Sequence, residues 1–182
     1  IDLEKVLATK KVKFFQLRLK KTSNNKIVKI AKKVKILTNK HNVKLIINDS
    51  PETCKKINAD GCHLGQQDSS IFKARKYLKN KIIGATCHNS KKLARMAIKN
   101  NADYIAFGSF YKSRLKPNTK KADIKVLNWA KKKIKKPIVV IGGITDKNYK
   151  RLITAGANYI AISSFIWDNP DLKPKFAIRK FI

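Results

Sequence analysis

The sequence predicts an α/β fold: a (β/α)8 TIM barrel, formed as a single domain over residues 1–182, with the first strand of the barrel missing. Seven short apolar runs alternate with segments of helical periodicity, which is typical of a parallel sheet covered by helices. Polar residues or glycines follow each run at its carboxyl end. The pattern begins on a helix and the chain does not begin with Met, so we expect one strand to be absent from the front. An open doubly wound sheet is the alternative.

The elements of the first half follow from two kinds of pattern. Strands are predicted at residues 14–19, 45–47 and 62–64. The first strand alternates apolar and polar residues, which puts Gln16, Arg18 and Lys20 on one face. The other two are apolar runs of the kind found in buried parallel strands. Helices are predicted at residues 1–8, 27–37, 51–59 and 71–78, the last capped by Ser69 or Ser70.

The second half continues the alternation. Strands are predicted at residues 81–87, 104–110, 137–141 and 159–165, and a long polar loop covers residues 111–121. Helices are predicted at residues 91–100, 124–134 and 147–155, and residues 174–182 form a short amphipathic segment. Asn89 or Ser90 caps the first of these helices, and Thr145 or Asp146 caps the third. No internal repeat, linker or low-complexity segment divides the chain.

The composition is strongly basic, with 43 Lys and Arg against 11 Asp and Glu and a formal charge of +32. The lysines are spread over nearly every predicted helix, arginines are few, and no nucleic-acid-binding motif is present. We therefore expect neither nucleic acid nor a membrane as the main partner, but small phosphorylated substrates drawn in by the charge. Three widely spaced cysteines match no zinc or disulfide pattern, which favours the reducing cytoplasm.

Two carboxylates are expected to meet at the carboxyl ends of neighbouring strands. Asp49 follows the strand at residues 45–47, and Asp68 follows the strand at residues 62–64. Because parallel neighbours end at the same edge of a sheet, both residues lie on one rim. Two carboxylates suit a hard cation that also takes phosphate oxygens, so this pair predicts a Mg²⁺ cofactor. The alternative is that each Asp caps the helix that follows it.

Other polar groups on the same rim are suited to anions. Arg18 and Lys20 point the same way from the first strand, as phosphate-binding cations do. Gly142 and Gly143, in IGGIT, lie where barrels bind phosphate, although a plain tight turn is the alternative. His88 could be a general base, a phosphate ligand or a histidine bonded to the backbone.

Seven motifs, in this order, resemble the thiamine phosphate synthase family. HLGQxD after an IND strand end is the specific part, whereas IGGIT is shared by many phosphate-binding barrels. The segments FGSFY and FIWDNP resemble alphaproteobacterial members. The motifs are QLRLK (16–20), IND (47–49), ADGCHLGQQD (59–68), IIGATCH (82–88), ADYIAFG (102–108), VVIGGIT (139–145) and AGANYIAISS (155–164).

The resemblance implies a TIM barrel and a cytoplasmic transferase of thiamine biosynthesis. It would join hydroxymethylpyrimidine diphosphate to a thiazole phosphate, giving thiamine phosphate and pyrophosphate. Homo-oligomer formation is left open. Catalysis would need charge neutralisation on the departing pyrophosphate rather than a protein nucleophile.

The resemblance also implies residue roles. Asp49 and Asp68 would hold the magnesium. Thr86, where the family usually has Ser, would lie near the diphosphate and the pyrimidine. The residues implied to grip the diphosphate are Gln16, Arg18, Lys20, Asn48 and Lys116, of which Arg18, Lys20 and Lys116, with Thr86, would be catalytic. The residues implied to bind the thiazole phosphate are Gly142 or Gly143, Ile162 and Ser163.

One loop departs from the family pattern. The family usually reads close to G-P-x-F-P-T-x-T-K, whereas residues 108–116 read GSFYKSRLK, which keeps Lys116 and one phosphate-binding hydroxyl, at Ser113. A thiazole tautomerase with a His at the position of His88, or a non-catalytic barrel relative, is therefore the alternative; a nucleic-acid-binding protein is less favoured. The aspartate Asp68 and the QLRLK cations favour the synthase.

Overall fold

A computed structural model describes residues 2–112 and 121–181. At its centre is one sheet of seven parallel strands, which pair in chain order. The strands are β1 (Phe14–Leu17), β2 (Lys44–Asn48), β3 (Gly61–Leu64), β4 (Ile82–His88), β5 (Tyr104–Gly108), β6 (Ile138–Ile141) and β7 (Tyr159–Ala161). The predicted parallel α/β sheet and its seven strands are confirmed.

Helices connect successive strands, so that every crossover returns the chain to the same end of the sheet. The described helices are α1 (Asp2–Leu7), α2 (Asn24–Lys40), α3 (Pro51–Lys56), α4 (Ile71–Leu78), α5 (Lys91–Lys99), α6 (Ile124–Lys133), α7 (Tyr149–Thr154), α8 (Ser164–Trp167) and α9 (Pro174–Ile178). None of the helices in the described ranges is long and apolar enough to span a membrane.

The sheet curls towards a barrel. Among the described residues β1 and β7 are its two edges, yet the ring of Phe14 on β1 meets that of Tyr159 on β7 edge to face, with centroids 5.3 Å apart. Phe15 meets Trp167 of α8 in the same way at 6.3 Å. Strands that are far apart in pairing order can touch only if the sheet bends round, as a barrel sheet does.

The alternation of side chains along the strands decides which residues can form a site. Leu45, Ile47 and Cys62 pack with residues of α2, α3 and α4 in the apolar layer between sheet and helices. Because side chains alternate along a strand, Ile46, Asn48 and His63 point to the opposite, concave side of the sheet, and so do the residues paired with them in register. One such row across β2, β3, β4 and β5 is Asn48, His63, Gly84 and Tyr104.

Several predicted boundaries are wrong, for local reasons. β1 ends at Leu17 because its pairing with β2 stops there, so Arg18 and Lys20 lie just beyond the strand. β7 ends at Ala161, because the carbonyl of Ser163 accepts from the amides of Ile166 and Trp167 and turns the chain into the short helix α8. Of the predicted caps, Ser70 and Ser90 are confirmed, and α7 begins later, after Asn148.

Candidate active site at the carboxyl rim of the sheet

Asp49 and Asp68 lie side by side at the ends of β2 and β3. Their carboxyl groups are close enough to hydrogen-bond, and loss of hydration together with the Asp68 carboxylate raises the pKa of Asp49. Asp49 adopts a left-handed backbone with φ of 67°, and its amide donates to the carbonyl of His63 at 2.8 Å. The Asp68 carboxylate accepts from the amide of Gly65 at 2.6 Å.

The alternative that these two residues cap helices is wrong. The cap of α3 is Ser50, whose hydroxyl accepts from the amide of Thr53, and the cap of α4 is Ser70, whose hydroxyl accepts from the amide of Lys73. Both carboxylates are therefore available at the rim.

Two neighbouring carboxylates repel each other unless a proton or a cation lies between them. No group of three or more His, Cys, Asp or Glu side chains suited to a metal occurs within residues 2–112 and 121–181. Within the described part of the chain, a metal bound at Asp49 and Asp68 would thus have these two carboxylates as its acidic ligands. That donor set fits Mg²⁺, which keeps several waters and takes further oxygens from phosphate groups.

The predicted diphosphate ligands of the first two strands are neighbours on this rim. The Gln16 side-chain amide donates to the side-chain oxygen of Asn48, which links β1 to β2. Arg18 and Lys20 extend beyond β1 with exposed side chains, and the charge of Arg18 acts on Asp49 to lower its pKa, against the larger effects that raise it. Neither cation forms a salt bridge with another described residue.

Thr86 is held by two side chains, one at its hydroxyl and one at its carbonyl. Its hydroxyl lies 2.8 Å from Nε2 of His63, whose Nδ1 lies 2.8 Å from the hydroxyl of Tyr104. The Gln66 side-chain amide donates to the Thr86 carbonyl. His63 is only 7% exposed, and this burial lowers the pKa of His63 to about 4, so its ring is neutral at pH 7.

His63 and Tyr104 were not among the predicted site residues. The available signal was that His63 is the one polar residue in the otherwise apolar strand β3, a placement that calls for buried hydrogen-bond partners. Its partners were not predictable, because they belong to β4 and β5 and depend on the strand register.

Gly142 and Gly143 allow two loops to pack together. Both have left-handed backbones, with φ of 104° and 61°. A Cβ on Gly142 would lie 1.9 Å from the Ser109 hydroxyl oxygen, and one on Gly143 would lie 2.3 Å from the Lys112 carbonyl. The glycines therefore have a structural reason that does not involve an anion, and their predicted contact with phosphate stays a prediction.

The other predicted residues are placed as follows. Ile162 and Ser163 lie between β7 and α8, with the Ser163 side chain exposed. His88 ends β4 in a left-handed conformation, φ 50°, with an exposed side chain. Ser113 and Lys116 lie outside the described residues.

The fold is that of the TIM-barrel enzymes, which carry their sites at the carboxyl ends of the strands, where this polar rim lies. Residues 2–166 match the family model for thiamine monophosphate synthase. The chain is 56% identical over 180 residues to the thiamine-phosphate synthase of Pelagibacter ubique, covering 98% of this chain and 86% of that protein. It is 42% identical to the thiamine-phosphate synthase of Saccharophagus degradans, covering 90% of this chain and 77% of the relative.

Solved structures agree. Thiamine phosphate pyrophosphorylase from Pyrococcus furiosus superimposes with a TM-score of 0.88 at 25% identity, covering 98% of this chain and 85% of that one. A 3-hexulose-6-phosphate synthase, at 16% identity and a TM-score of 0.71, shares the fold. The chain belongs to the thiamine monophosphate synthase family. The predicted family, its alphaproteobacterial character and the predicted class of transferase are confirmed.

Proposed function

We propose that this chain joins hydroxymethylpyrimidine diphosphate to a thiazole phosphate and releases thiamine phosphate and pyrophosphate. Family membership supports the reaction, and one structural observation carries the assignment of its site. Asp49 and Asp68 meet at the rim, next to the cation Arg18, at the end of the sheet where barrel enzymes bind their substrates.

Asp49 and Asp68 would hold Mg²⁺, since their paired carboxylates need a counter-charge and leave room for phosphate oxygens. The metal, when bound, supplies positive charge that neutralises the diphosphate. The other contributions come from the chain itself. Arg18 and Lys20 carry the cations that bind a diphosphate, and Lys116 would add a third.

The proposed reaction needs a firmly bound pyrophosphate leaving group and no protein nucleophile. Negative charge grows on the pyrophosphate as it departs, so fixed cations and hydrogen-bond donors stabilise the transition state more than the ground state. Asn48 is oriented by Gln16, and Thr86 by His63. The thiol of Cys87 is buried on the helix side, and burial raises its pKa to about 12, so it is not poised as a nucleophile.

The thiazole phosphate would bind on the opposite side of the rim, after β6 and β7. The residues proposed to bind it follow these two strands: Gly143 or Gly142 after β6, and Ile162 and Ser163 after β7. The cytoplasm is the proposed location, because Cys54, Cys62 and Cys87 are all free thiols.

The test is pyrophosphate release by the purified chain given both substrates, with magnesium and then with a chelator. We expect release that needs both substrates and magnesium and that is abolished by Asp68→Ala. Asp171→Ala, which removes an exposed carboxylate from the segment between α8 and α9, is the matched control and should retain activity. Absence of pyrophosphate release, together with a metal-independent isomerisation of the thiazole phosphate that survives Asp68→Ala but is lost in His88→Ala, would contradict the proposal and indicate a tautomerase.

A further inference from the structure

His63 links three strands through its two ring nitrogens. Nδ1 lies 2.8 Å from the Tyr104 hydroxyl on β5, and Nε2 lies 2.8 Å from the Thr86 hydroxyl on β4. The rings of His63 and Tyr104 are stacked, with centroids 5.5 Å apart and planes 25° apart. Every polar atom of the imidazole thus has a partner, and the ring has little freedom to turn.

Gly84 makes this arrangement possible. It lies between His63 and Tyr104 in the same row of the sheet. Parallel neighbours are about 4.8 Å apart, so residues two strands apart meet only if the residue between them leaves room. A Cβ on Gly84 would lie 1.9 Å from the Tyr104 ring. Glycine therefore lets the tyrosine cross β4 and reach the histidine.

The direction of the hydrogen bonds follows from the number of protons. A neutral imidazole has one N–H and one acceptor nitrogen. If Tyr104 donates to Nδ1, then Nε2–H donates to the Thr86 oxygen, and the Thr86 proton is left for a ligand. In the opposite arrangement Thr86 donates to His63 and can only accept from a ligand. Diphosphate oxygens accept and do not donate at neutral pH, so only the first direction suits them.

We propose that His63 and Tyr104 are positioning residues that hold the Thr86 hydroxyl as a hydrogen-bond donor to the diphosphate of the substrate. The inference rests on the proposed function, in which Thr86 contacts that diphosphate. The donation runs from Tyr104 to His63 to Thr86 to a phosphate oxygen. Because charge grows on the leaving pyrophosphate, the last hydrogen bond strengthens in the transition state, and its loss lowers kcat more than it raises KM.

Tyr104→Phe is the first variant, since it removes the first donor and keeps the stacked ring. We expect kcat for pyrophosphate release to fall about tenfold, the effect of one hydrogen bond, with KM for the diphosphate substrate within about twofold of the unmodified chain. An unchanged kcat would overturn the inference.

A double-mutant cycle separates this role from a structural one. Thr86→Val removes the hydroxyl and keeps the branched shape. In the Thr86→Val background, Tyr104→Phe should lower kcat by less than about twofold, because the group through which it acts is gone. An equal tenfold loss in both backgrounds would show that Tyr104 only supports the fold, and would overturn the inference.

Two further measurements do not need turnover. ¹⁵N NMR of the His63 ring should show the proton on Nε2, and a proton on Nδ1 would overturn the proposed direction. Binding of inorganic pyrophosphate with Mg²⁺ should weaken severalfold in Tyr104→Phe, but not in the same change made on Thr86→Val. If the unmodified chain releases no pyrophosphate yet shows this binding pattern, the proposed reaction fails and the inference stands. If it does not bind pyrophosphate, both fail.

Discussion

At the amino ends of the strands the polar side chains are bonded to the backbone of a neighbouring strand, whereas at the carboxyl ends they face one another and the solvent. Asp60 accepts from the amide of Leu45 at 3.0 Å, Asp103 from that of Ile83 at 2.8 Å, and Asn158 from that of Ile138 at 2.8 Å. In each pair the polar residue's own amide donates back to the carbonyl of the same partner. These three bonded pairs are called the backbone clamps below.

The backbone clamps share a short sequence pattern. Each polar residue follows an alanine, which follows a residue with left-handed backbone: Asn58, Asn101 or Gly156. The pattern reads NAD, NAD and GAN, and it recurs between β2 and β3, β4 and β5, and β6 and β7. Three residues are too few to stand out in one sequence, so the backbone clamps were not predicted.

The two rims differ in the groups that neutralise or hydrogen-bond their carboxylates. Arg75 donates to Asp103 and to the carbonyls of Lys79, Lys81 and Asn101, so that the clamp of β4 and β5 is enclosed in its own hydrogen bonds. Asp49 and Asp68 lie against each other, with the amide of Gly65 donating to Asp68 and the charge of Arg18 acting on Asp49. The first arrangement stabilises the fold by itself, and the second is stabilised by what binds to it. The same substitution should therefore have opposite consequences at the two rims.

The largest expected effect comes from Asp68→Asn. Removing one charge that would hold Mg²⁺ should lower kcat/KM for pyrophosphate release by about 10²–10³-fold, the scale seen when one charge-stabilising group is lost. The melting temperature should stay within about 2 °C, because the backbone clamps are untouched. Asp103→Asn is the matched control and should retain activity within about threefold when folded. Comparable losses of activity in both variants would remove the distinction between the rims.

The next effect concerns pH. His63 is buried as a neutral ring with a pKa lowered to about 4 from its usual 6.5. Between these two pH values the unfolded chain binds a proton that the folded chain does not, so stability falls as the pH drops through this range. The full difference is about 3 kcal/mol. Urea unfolding at pH 7 and pH 4.5 measures it. The loss should be smaller in His63→Gln, and parallel pH profiles for the two proteins would contradict the assignment.

A smaller loss is expected from Asp103→Ala at the other rim. It leaves the amide of Ile83 without its acceptor and takes from Arg75 its carboxylate partner. The free energy of unfolding should fall by about 2 kcal/mol, the cost of one charged hydrogen bond and an unpaired buried donor. Asp103→Asn should lose about half as much, since Asn158 shows that an amide oxygen serves in the equivalent clamp. The denaturant midpoints of the two variants measure these losses of stability. An equal loss in Asp103→Ala and Asp103→Asn would contradict the idea that an amide oxygen can replace the carboxylate in this clamp.

The order of strands and helices was predictable because it depends on local periodicity and on turn residues. Asp49 and Asp68 were also predictable as rim residues, since parallel neighbours end together. Two features were not. The link from Thr86 to Tyr104 needs the strand register and the missing side chain of Gly84, which act between segments far apart in sequence. The end of β7 was missed because a helical turn at Ser163 interrupted an apolar run that reads as a longer strand.

The smallest expected effect is a gain in stability from Asp49→Asn. Lost hydration and the neighbouring Asp68 raise the pKa of Asp49, so at pH 7 the folded chain keeps a charge that it would favour losing. Because Asp49 is well exposed, solvent screens most of this cost. Without metal, Asn at this position should raise the free energy of unfolding by about 0.5 kcal/mol. The gain should shrink as the pH falls and the carboxyl group of the unmodified chain takes up its proton.

Adding Mg²⁺ should reverse the order of stability of the two proteins, because the cation stabilises only the chain that keeps both carboxylates. Thermal unfolding with magnesium and with a chelator measures both orders, with Asp171→Asn as the control that should respond to neither. A metal-free Asp49→Asn protein that melts below the unmodified chain would show that Asp49 supports the fold as the clamp aspartates do.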